Sequence, residues 1–280
     1  MTETWNIVVG VDGSFKDDHA TRWAGRAAAR GGGRITVLYA ARVPGAGLPE
    51  AELTELGRAV TEPTAEKLRA MFPDLSVATE VVAADPEVAL VTASEDADLV
   101  VVGARGLGRI SGRILGSVSQ KVAAQAACPV VVVHGEPKHP GGDVTVGVDP
   151  ADPIPEVLDL AFRLAVQRDA GVHLLHVFAP APAELGYTRI RNLMADVATE
   201  RAAEMRTVVR SWEQRYPHVP VRITEVHGHP GDALADAVEE AGTIVVGSRG
   251  RTGMSGRRLG SVAQRVLHVA PLAVVVPVAV

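Results

Sequence analysis

The sequence has one cysteine, few aromatic residues and no long apolar run, and each scarcity excludes a class of protein. Cys128 alone cannot form an intramolecular disulfide, and its apolar surroundings predict a buried, inert thiol. No run reaches the roughly 18 apolar residues that a membrane-spanning helix needs. Aromatic residues make up 4% of a chain that is 47% hydrophobic, so we expect cores built from small aliphatic side chains.

The chain also lacks an excess of positive charge. Its formal net charge is -5, which argues against a general nucleic-acid or membrane-surface binder, because phosphate backbones require a basic footprint. Any anion must therefore be held by a local site. Residues 1–5 contain no basic region followed by an apolar stretch, which predicts a cytoplasmic protein.

What the sequence does contain is an internal repeat. Residues 103–122 and 247–266 are identical at 12 of 20 positions with a constant offset of 144. A Pro- and Gly-rich segment, 134–142, separates the two copies, so we predict nucleotide-binding domains at 1–137 and 141–280. The shared pattern is Gly-x-x-Gly, nine residues, then Gly-Ser: Gly103, Gly106, Gly116 and Ser117, repeated as Gly247, Gly250, Gly260 and Ser261.

Hydrophobic patterning predicts alternating strands and helices in both halves. Successive parallel strands need crossover helices, so this alternation favours an α/β fold with a doubly wound parallel sheet in each half. The predicted strands are 5–11, 34–40, 75–82, 98–103 and 130–134, then 143–148, 172–178, 220–226, 243–247 and 273–277. The predicted helices are 17–30, 49–71 (kinked or restarted at Pro63), 86–95 and 116–126, then 153–169, 184–216, 230–240 and one from 260; a seven-residue insertion lengthens the 184–216 region.

Each glycine loop follows a buried β-branched run and leads into a helix. A helix N-terminus presents unpaired N–H groups and the positive end of its dipole, so this arrangement can bind phosphate. Ser117 and Ser261 are either N-caps or phosphate ligands. Arg105 and Arg249 recur within Gly-x-Arg-Gly and are the better candidates to neutralise phosphate; the alternatives, Arg109, Arg113, Arg251, Arg257 and Arg258, are equally consistent with solvated loop residues.

A carboxylate ends the first strand of each half, at Asp12 and Asp149. Either residue could simply be a turn residue or a helix cap. In doubly wound sheets, however, ligands bind outside the carboxyl ends of the first and fourth strands, where the topology reverses. Asp12 would then share a cleft with Gly103, and Asp149 with Gly247. There a carboxylate can accept hydrogen bonds from ribose hydroxyls or an adenine amine, or reach a metal ion.

Several alternative sites lack their motifs. The P-loop lysine is missing, the dinucleotide fingerprint is incomplete and follows the fourth strand, and the Ser-Gly-Gly-x-Asp-Ser run of ATP pyrophosphatases is absent. No Gly-x-Ser-x-Gly supports a catalytic triad. His227 and His229, with His173 and His176 nearby, lack a third ligand at a fitting spacing, so we predict no metal site.

Over nearly their whole length, both halves resemble the universal stress protein family, in its tandem ATP-binding form. The resemblance implies a flavodoxin-like, Rossmann-like strand order 3-2-1-4-5, with ATP across the first and fourth strands and Mg²⁺ as an optional companion. It assigns the strand-ending acids to the nucleotide and the end of the second strand to adenine. The implied binding residues are Gly10, Asp12, Ala40, Gly103, Arg105, Gly106, Gly116, Ser117 and Val118, then Gly147, Asp149, Val177, Gly247, Arg249, Gly250, Gly260, Ser261 and Val262.

These observations predict an ATP-binding stress-response protein with one site per domain that acts as a nucleotide-dependent switch or sensor. It would be no efficient enzyme: the family allows slow hydrolysis or autophosphorylation, for example at Ser117. The alternatives are a nucleotide-independent interaction module and a true nucleotide hydrolase or transferase. The apolar last strand of each half invites edge pairing, between the halves and between chains, so we expect a homo-oligomer, with a downstream protein partner that the sequence leaves unidentified.

Overall fold

The computed structural model describes residues 4–14, 19–41, 50–104, 115–178, 203–248 and 259–278. In the first half the strands β1 to β5 are Asn6–Val11, Arg34–Ala40, Ser76–Val82, Leu99–Gly103 and Val130–Val133. The helices α1 to α4 are His19–Gly31, Glu50–Met71, Pro86–Ala93 and Ser117–Gln125. Helix α2 continues through Pro63, so of the two alternatives that the sequence left open, a kink or a fresh start, the fresh start is excluded.

The second half repeats this alternation. Strands β6 to β10 are Val144–Gly147, Val172–Phe178, Val221–His227, Thr243–Gly247 and Leu272–Val276. Helices α5, α7 and α8 are Pro155–Arg168, Pro230–Ala237 and Ser261–Val269. Helix α6 comprises the helical residues 203–215, and the rest of the predicted helix 184–216, with its insertion, lies largely outside the described residues.

The strand order is the one that the sequence led us to expect. In the first half it is β3-β2-β1-β4-β5, and in the second it is β8-β7-β6-β9-β10, the same 3-2-1-4-5 order in each. The pairs β1–β2, β1–β4, β2–β3 and β4–β5 are all parallel. Each half is therefore an α/β doubly wound sheet whose topology reverses between its first and fourth strands.

Small aliphatic side chains fill the core, as the composition predicts. All four residues of β5 and all five of β10 are buried, and every one of them is valine, leucine or alanine. Among the few large aromatics, Trp5 and Phe162 are fully buried. Cys128 is buried as predicted, and this burial raises its pKa to about 12, which keeps it a neutral thiol near neutral pH.

The described residues fall into two compact units that differ from a simple division at the linker. One unit contains the first half up to Glu136 together with Leu259 and residues 271–278; the other contains residues 137–248 and 260–270. Within the first unit β10 pairs antiparallel with β5, with Val274 opposite Val131. The edge of β5, which the sequence marked as prone to pairing, is thus covered by the last strand of the same chain.

We find no helix in the described part of the chain that is both long enough and apolar enough to cross a bilayer. The longest described helix, α2, carries charged residues throughout its length and has exposed positions on every turn.

Candidate functional site

The carboxyl ends of β2, β1 and β4 lie side by side in the first half. Val11 of β1 is level with Tyr39 of β2, and Gly10 is level with Val102 of β4. Extending these registers, by one residue towards β2 and by two towards β4, places Asp12 between Ala40 and Ala104. Neighbouring strands are about 4.8 Å apart, so the strand-ending acid and the start of the glycine loop share one edge of the sheet.

The second half brings the equivalent residues together. Gly147 of β6 is level with Leu175 of β7, and Val146 is level with Val245 of β9. Extending this register places Asp149 between Val177 and Ser248. In both halves the strand registers therefore bring together the predicted acid, the predicted adenine-side residue and the first residues of the glycine loop.

Both glycine loops end at an uncapped helix. Gly116 is the N-cap of α4, with φ -68° and ψ 149°, and Gly260 is the N-cap of α8, with φ -66° and ψ 159°. Neither helix has a side-chain hydrogen bond at its cap, since glycine has no acceptor to offer. Any residue can adopt this extended backbone, so conformation does not explain the glycine. The absence of a side chain at a helix N-terminus fits the close approach of an anion.

The two residues after each N-cap glycine lie in the first turn of α4 or α8. Ser117 and Ser261 are the first helical residues and are exposed, while Val118 and Val262 follow half-buried. Their N–H groups lie in the first turn, where the helix itself supplies no acceptor. Of the two roles that the sequence left open for these serines, the N-cap role is excluded, because in each helix the preceding glycine takes that position.

The two ends of each glycine loop are held together by a backbone hydrogen bond. The Gly116 N–H donates to the Ala104 carbonyl at 2.7 Å, and the Gly260 N–H donates to the Ser248 carbonyl at 2.8 Å. The strand end and the helix start are therefore adjacent in both halves. The loop residues between them lie outside the described residues, including the candidates Arg105, Gly106, Arg109, Arg113, Arg249, Gly250, Arg251, Arg257 and Arg258.

The two strand-ending acids form local turns. In the first half, Asp12 Oδ1 accepts hydrogen bonds from the Ser14 N–H at 2.9 Å and from the Ser14 hydroxyl at 2.6 Å. In the second, Asp149 Oδ1 accepts one from the Ala151 N–H at 3.0 Å. The turn role that the sequence left open is confirmed for both acids, and it holds each carboxylate within the turn that follows its strand. Their contact with a nucleotide stays a prediction.

The residue after each acid differs between the halves. Gly13 has φ +80°, a left-handed conformation that favours glycine. Pro150 in the equivalent place has φ locked near -65° and carries no N–H. The first cleft therefore has one backbone donor more at this turn than the second.

Gly10 and Gly147 have a packing role at the ends of β1 and β6. A Cβ built on Gly10 would lie 3.0 Å from Leu90 Cδ2, and one on Gly147 would lie 2.8 Å from Leu234 Cδ1. The missing side chains let helices α3 and α7 pack closely over the strand ends. The family resemblance assigned these glycines only to the ligand, and the leucines packed against them are identified only by the folded structure.

A charged pair joins the helix of each glycine loop to its neighbour. Lys121 Nζ lies 2.5 Å from Glu87 Oε1, linking α4 to α3, and Arg265 Nε lies 3.2 Å from Asp232 Oδ1, linking α8 to α7. The hydrogen bond that Lys121 donates to Glu87 lowers the pKa of Glu87 and raises the pKa of Lys121. These exposed pairs help to orient the helices, at the modest strength typical of surface ion pairs.

The histidines of the second half do not gather into a metal site. His173 and His176 are three residues apart on β7, so they face opposite sides of the sheet. His176 Nδ1 lies 3.9 Å from Glu225 Oε1, while the His227 ring packs edge-on against Phe178 at 5.2 Å. Among the described residues, no group of three or more His, Cys, Asp or Glu side chains could hold a metal ion.

The burial of His173 can be tested through the pH dependence of the free energy of unfolding. Its Nε2 lies 2.9 Å from Thr224 Oγ1, and burial lowers its pKa, so the folded state holds it neutral. In the unfolded chain, His173 takes up a proton near the usual pKa of about 6.5. The free energy of unfolding therefore has its full value above that pH and falls as the pH drops towards the lower pKa of the folded state. We expect His173→Thr, which copies Thr36 of the first half, to flatten the fall in unfolding free energy between pH 7 and pH 5.

Urea titrations of both proteins across that range measure the effect. One histidine can contribute at most about 1.4 kcal/mol per pH unit to the slope. Equal slopes in the two proteins would contradict a neutral, buried His173.

The fold and the site geometry together define a class: tandem doubly wound α/β domains in which a helix with a glycine N-cap starts at the same sheet edge as a strand-ending acid in each copy. The model of the universal stress protein family matches residues 4–134 and 142–277. The chain belongs to this family, in its tandem form.

Two relatives and one solved structure illustrate the match. Universal stress protein Rv2005c of Mycobacterium tuberculosis (strain H37Rv) is 35% identical, covering 96% of each chain. Universal stress protein Rv2623 of the same strain is 33% identical, covering 96% of this chain and 95% of the relative. A universal stress protein structure from Archaeoglobus fulgidus superposes with a TM-score of 0.67 at 21% identity, covering 99% of this chain and 97% of that one. The structural likeness supports the fold.

Proposed function

We propose that each repeat binds one ATP-type nucleotide, and that the protein is a stress-response regulator whose state depends on that nucleotide. The observation that carries the proposal is the duplicated uncapped helix start, at Gly116 and Gly260. In each copy it lies at the carboxyl edge of the sheet beside an ordered carboxylate, Asp12 or Asp149. These are the two chemistries that a nucleotide needs, donors for its phosphates and acceptors for its ribose or base.

The phosphates would accept hydrogen bonds from the first-turn N–H groups of α4 and α8, aided by the helix dipole. The exposed hydroxyls of Ser117 and Ser261 are placed to add one donor each. Asp12 and Asp149 would accept from ribose or adenine, and Ala40 and Val177 would line the side facing the second strand. Mg²⁺, where it accompanies ATP, would neutralise phosphate charge.

The proposed role is binding with at most slow turnover. Both strand-ending carboxylates already accept hydrogen bonds within their own turns, an arrangement suited to holding a ligand. We propose domains at 1–137 and 141–280, a cytoplasmic protein and a homo-oligomer. Because β10 occupies the edge of β5 within one chain, association between chains would use another surface.

The test is the identity and stoichiometry of nucleotide that purifies with the protein. We expect denaturation to release ATP, or its diphosphate product, at up to two molecules per chain, identified by mass spectrometry. Absence of binding for both retained and added ATP would refute the proposal. Steady ATP turnover at ~1 s⁻¹ or faster, within the ordinary range of enzymes, would instead favour a hydrolase.

A further inference from the structure

The first-half cleft has a second tie between its strand end and its helix. Ser119 lies in the first turn of α4 and is buried, and its hydroxyl donates a 2.7 Å hydrogen bond to the carbonyl of Gly103. Gly103 is the last residue of β4. Together with the bond from Gly116 to Ala104, this fixes both the start of the loop and the start of the helix.

The second half cannot form this tie. Ala263 occupies the position equivalent to Ser119, at the same offset of 144, and has no hydroxyl. Its loop closure bond, from Gly260 to Ser248, is otherwise like that of the first half. Ser248 replaces Ala104, so the second half has its extra hydroxyl at the strand end rather than on the helix.

We propose that Ser119 is a positioning residue for the first cleft and that its absence makes the two nucleotide sites unequal, the first binding more tightly. The inference rests on the proposed function. An N–H group contributes most to the binding free energy of an anion when its direction is fixed before binding, because no conformational freedom is then lost on association. The Ser119 hydroxyl is used up by the Gly103 carbonyl and does not bind phosphate; it holds the N–H groups of the first turn in place relative to Gly103.

The chain offers a matched pair of substitutions. Ser119→Ala removes the tie from the first half, and Ala263→Ser introduces the same hydroxyl into the second. Each would be titrated with a fluorescent ATP analogue in the full-length protein. Gly260→Asp or Gly116→Asp would block the other cleft so that each site is measured alone. We expect Ser119→Ala to weaken the first site about five-fold, or about 1 kcal/mol, and to leave the second unchanged.

Two further variants separate positioning from simple stability. Ser119→Thr keeps a hydroxyl and should retain affinity within about two-fold, while Ala263→Ser should tighten the second site several-fold. A thermal unfolding curve of each variant shows whether the fold is intact. A purely structural role for Ser119 would lower the unfolding temperature without changing the dissociation constant.

The outcomes distinguish this inference from the proposed function. Equal affinities at the two wild-type sites, an unchanged first site in folded Ser119→Ala, or no gain in Ala263→Ser would overturn the inference and leave nucleotide binding standing. Absence of binding at both wild-type sites would refute the proposed function itself.

Discussion

An aspartate in place of Gly116 is expected to weaken nucleotide binding at the first site severely while making the folded protein slightly more stable. Aspartate is among the best N-cap residues, and its carboxylate would accept hydrogen bonds from the first-turn N–H groups of α4. Those are the donors proposed for phosphate, so the side chain would compete with the ligand and repel it. We expect the affinity to fall on the order of 100-fold.

The stability of the same variant should move in the opposite direction. The extended backbone of Gly116 suits any residue, and a capping side chain in place of glycine stabilises by about 0.3–1 kcal/mol. Calorimetric titration with ATP and a urea unfolding curve measure the two effects. Gly116→Ala shows what an added Cβ does without a charge, and Gly260→Asp is the matched change in the second half. Retained affinity in Gly116→Asp would contradict a phosphate site at this helix.

Val274→Asp is expected to destabilise the first half of the chain, although residue 274 belongs to the second repeat in sequence. Val274 is 0% exposed and pairs with Val131, which is also 0% exposed. An ionised carboxylate buried there without a partner would cost about 3–5 kcal/mol of unfolding free energy. The loss of stability should extend to β5, because the edge of β5 would lose β10, the strand that pairs with it.

Hydrogen exchange measured by mass spectrometry locates the effect. Peptides covering Val130–Val133 should lose protection in Val274→Asp, in addition to those covering β10 itself. Val88→Asp is the control, since Val88 is 54% exposed and a surface change of this kind usually alters stability by less than about 0.5 kcal/mol. Unchanged protection of β5 would contradict the structural dependence of the first half on the last strand.

Much of the fold could be predicted because local patterns and tertiary structure agree. The predicted strand 34–40 and the observed Arg34–Ala40 coincide, as do 172–178 and Val172–Phe178. Both are apolar runs between charged or glycine-rich turns, and both are buried by the sheet that they join. Helix ends were less predictable: the third helix ends at Ala93 rather than residue 95, since caps depend on neighbouring backbone.

The candidate site was predictable in part. Repetition of the glycine pattern and the position of Asp12 and Asp149 predicted that each acid and the start of its glycine loop lie at one edge of the sheet, because parallel strands end at the same edge, and the strand registers agree. Ser119 was missed, although comparing it with Ala263 in the aligned repeats would have marked it. Its partner is a backbone carbonyl 16 residues earlier, and no sequence pattern names such an acceptor.

The sequence by itself determined the repeat, the doubly wound α/β fold and the pairing of an acid with a glycine loop in each half. These follow from periodicity and spacing along the chain. Only the tertiary structure decided that β10 pairs with the edge of β5 and that Leu90 packs closely against Gly10. The same holds for the hydrogen bond by which Ser119 joins α4 to β4. Each of these depends on which residues distant in sequence come within a few ångströms, and packing in three dimensions fixes that proximity.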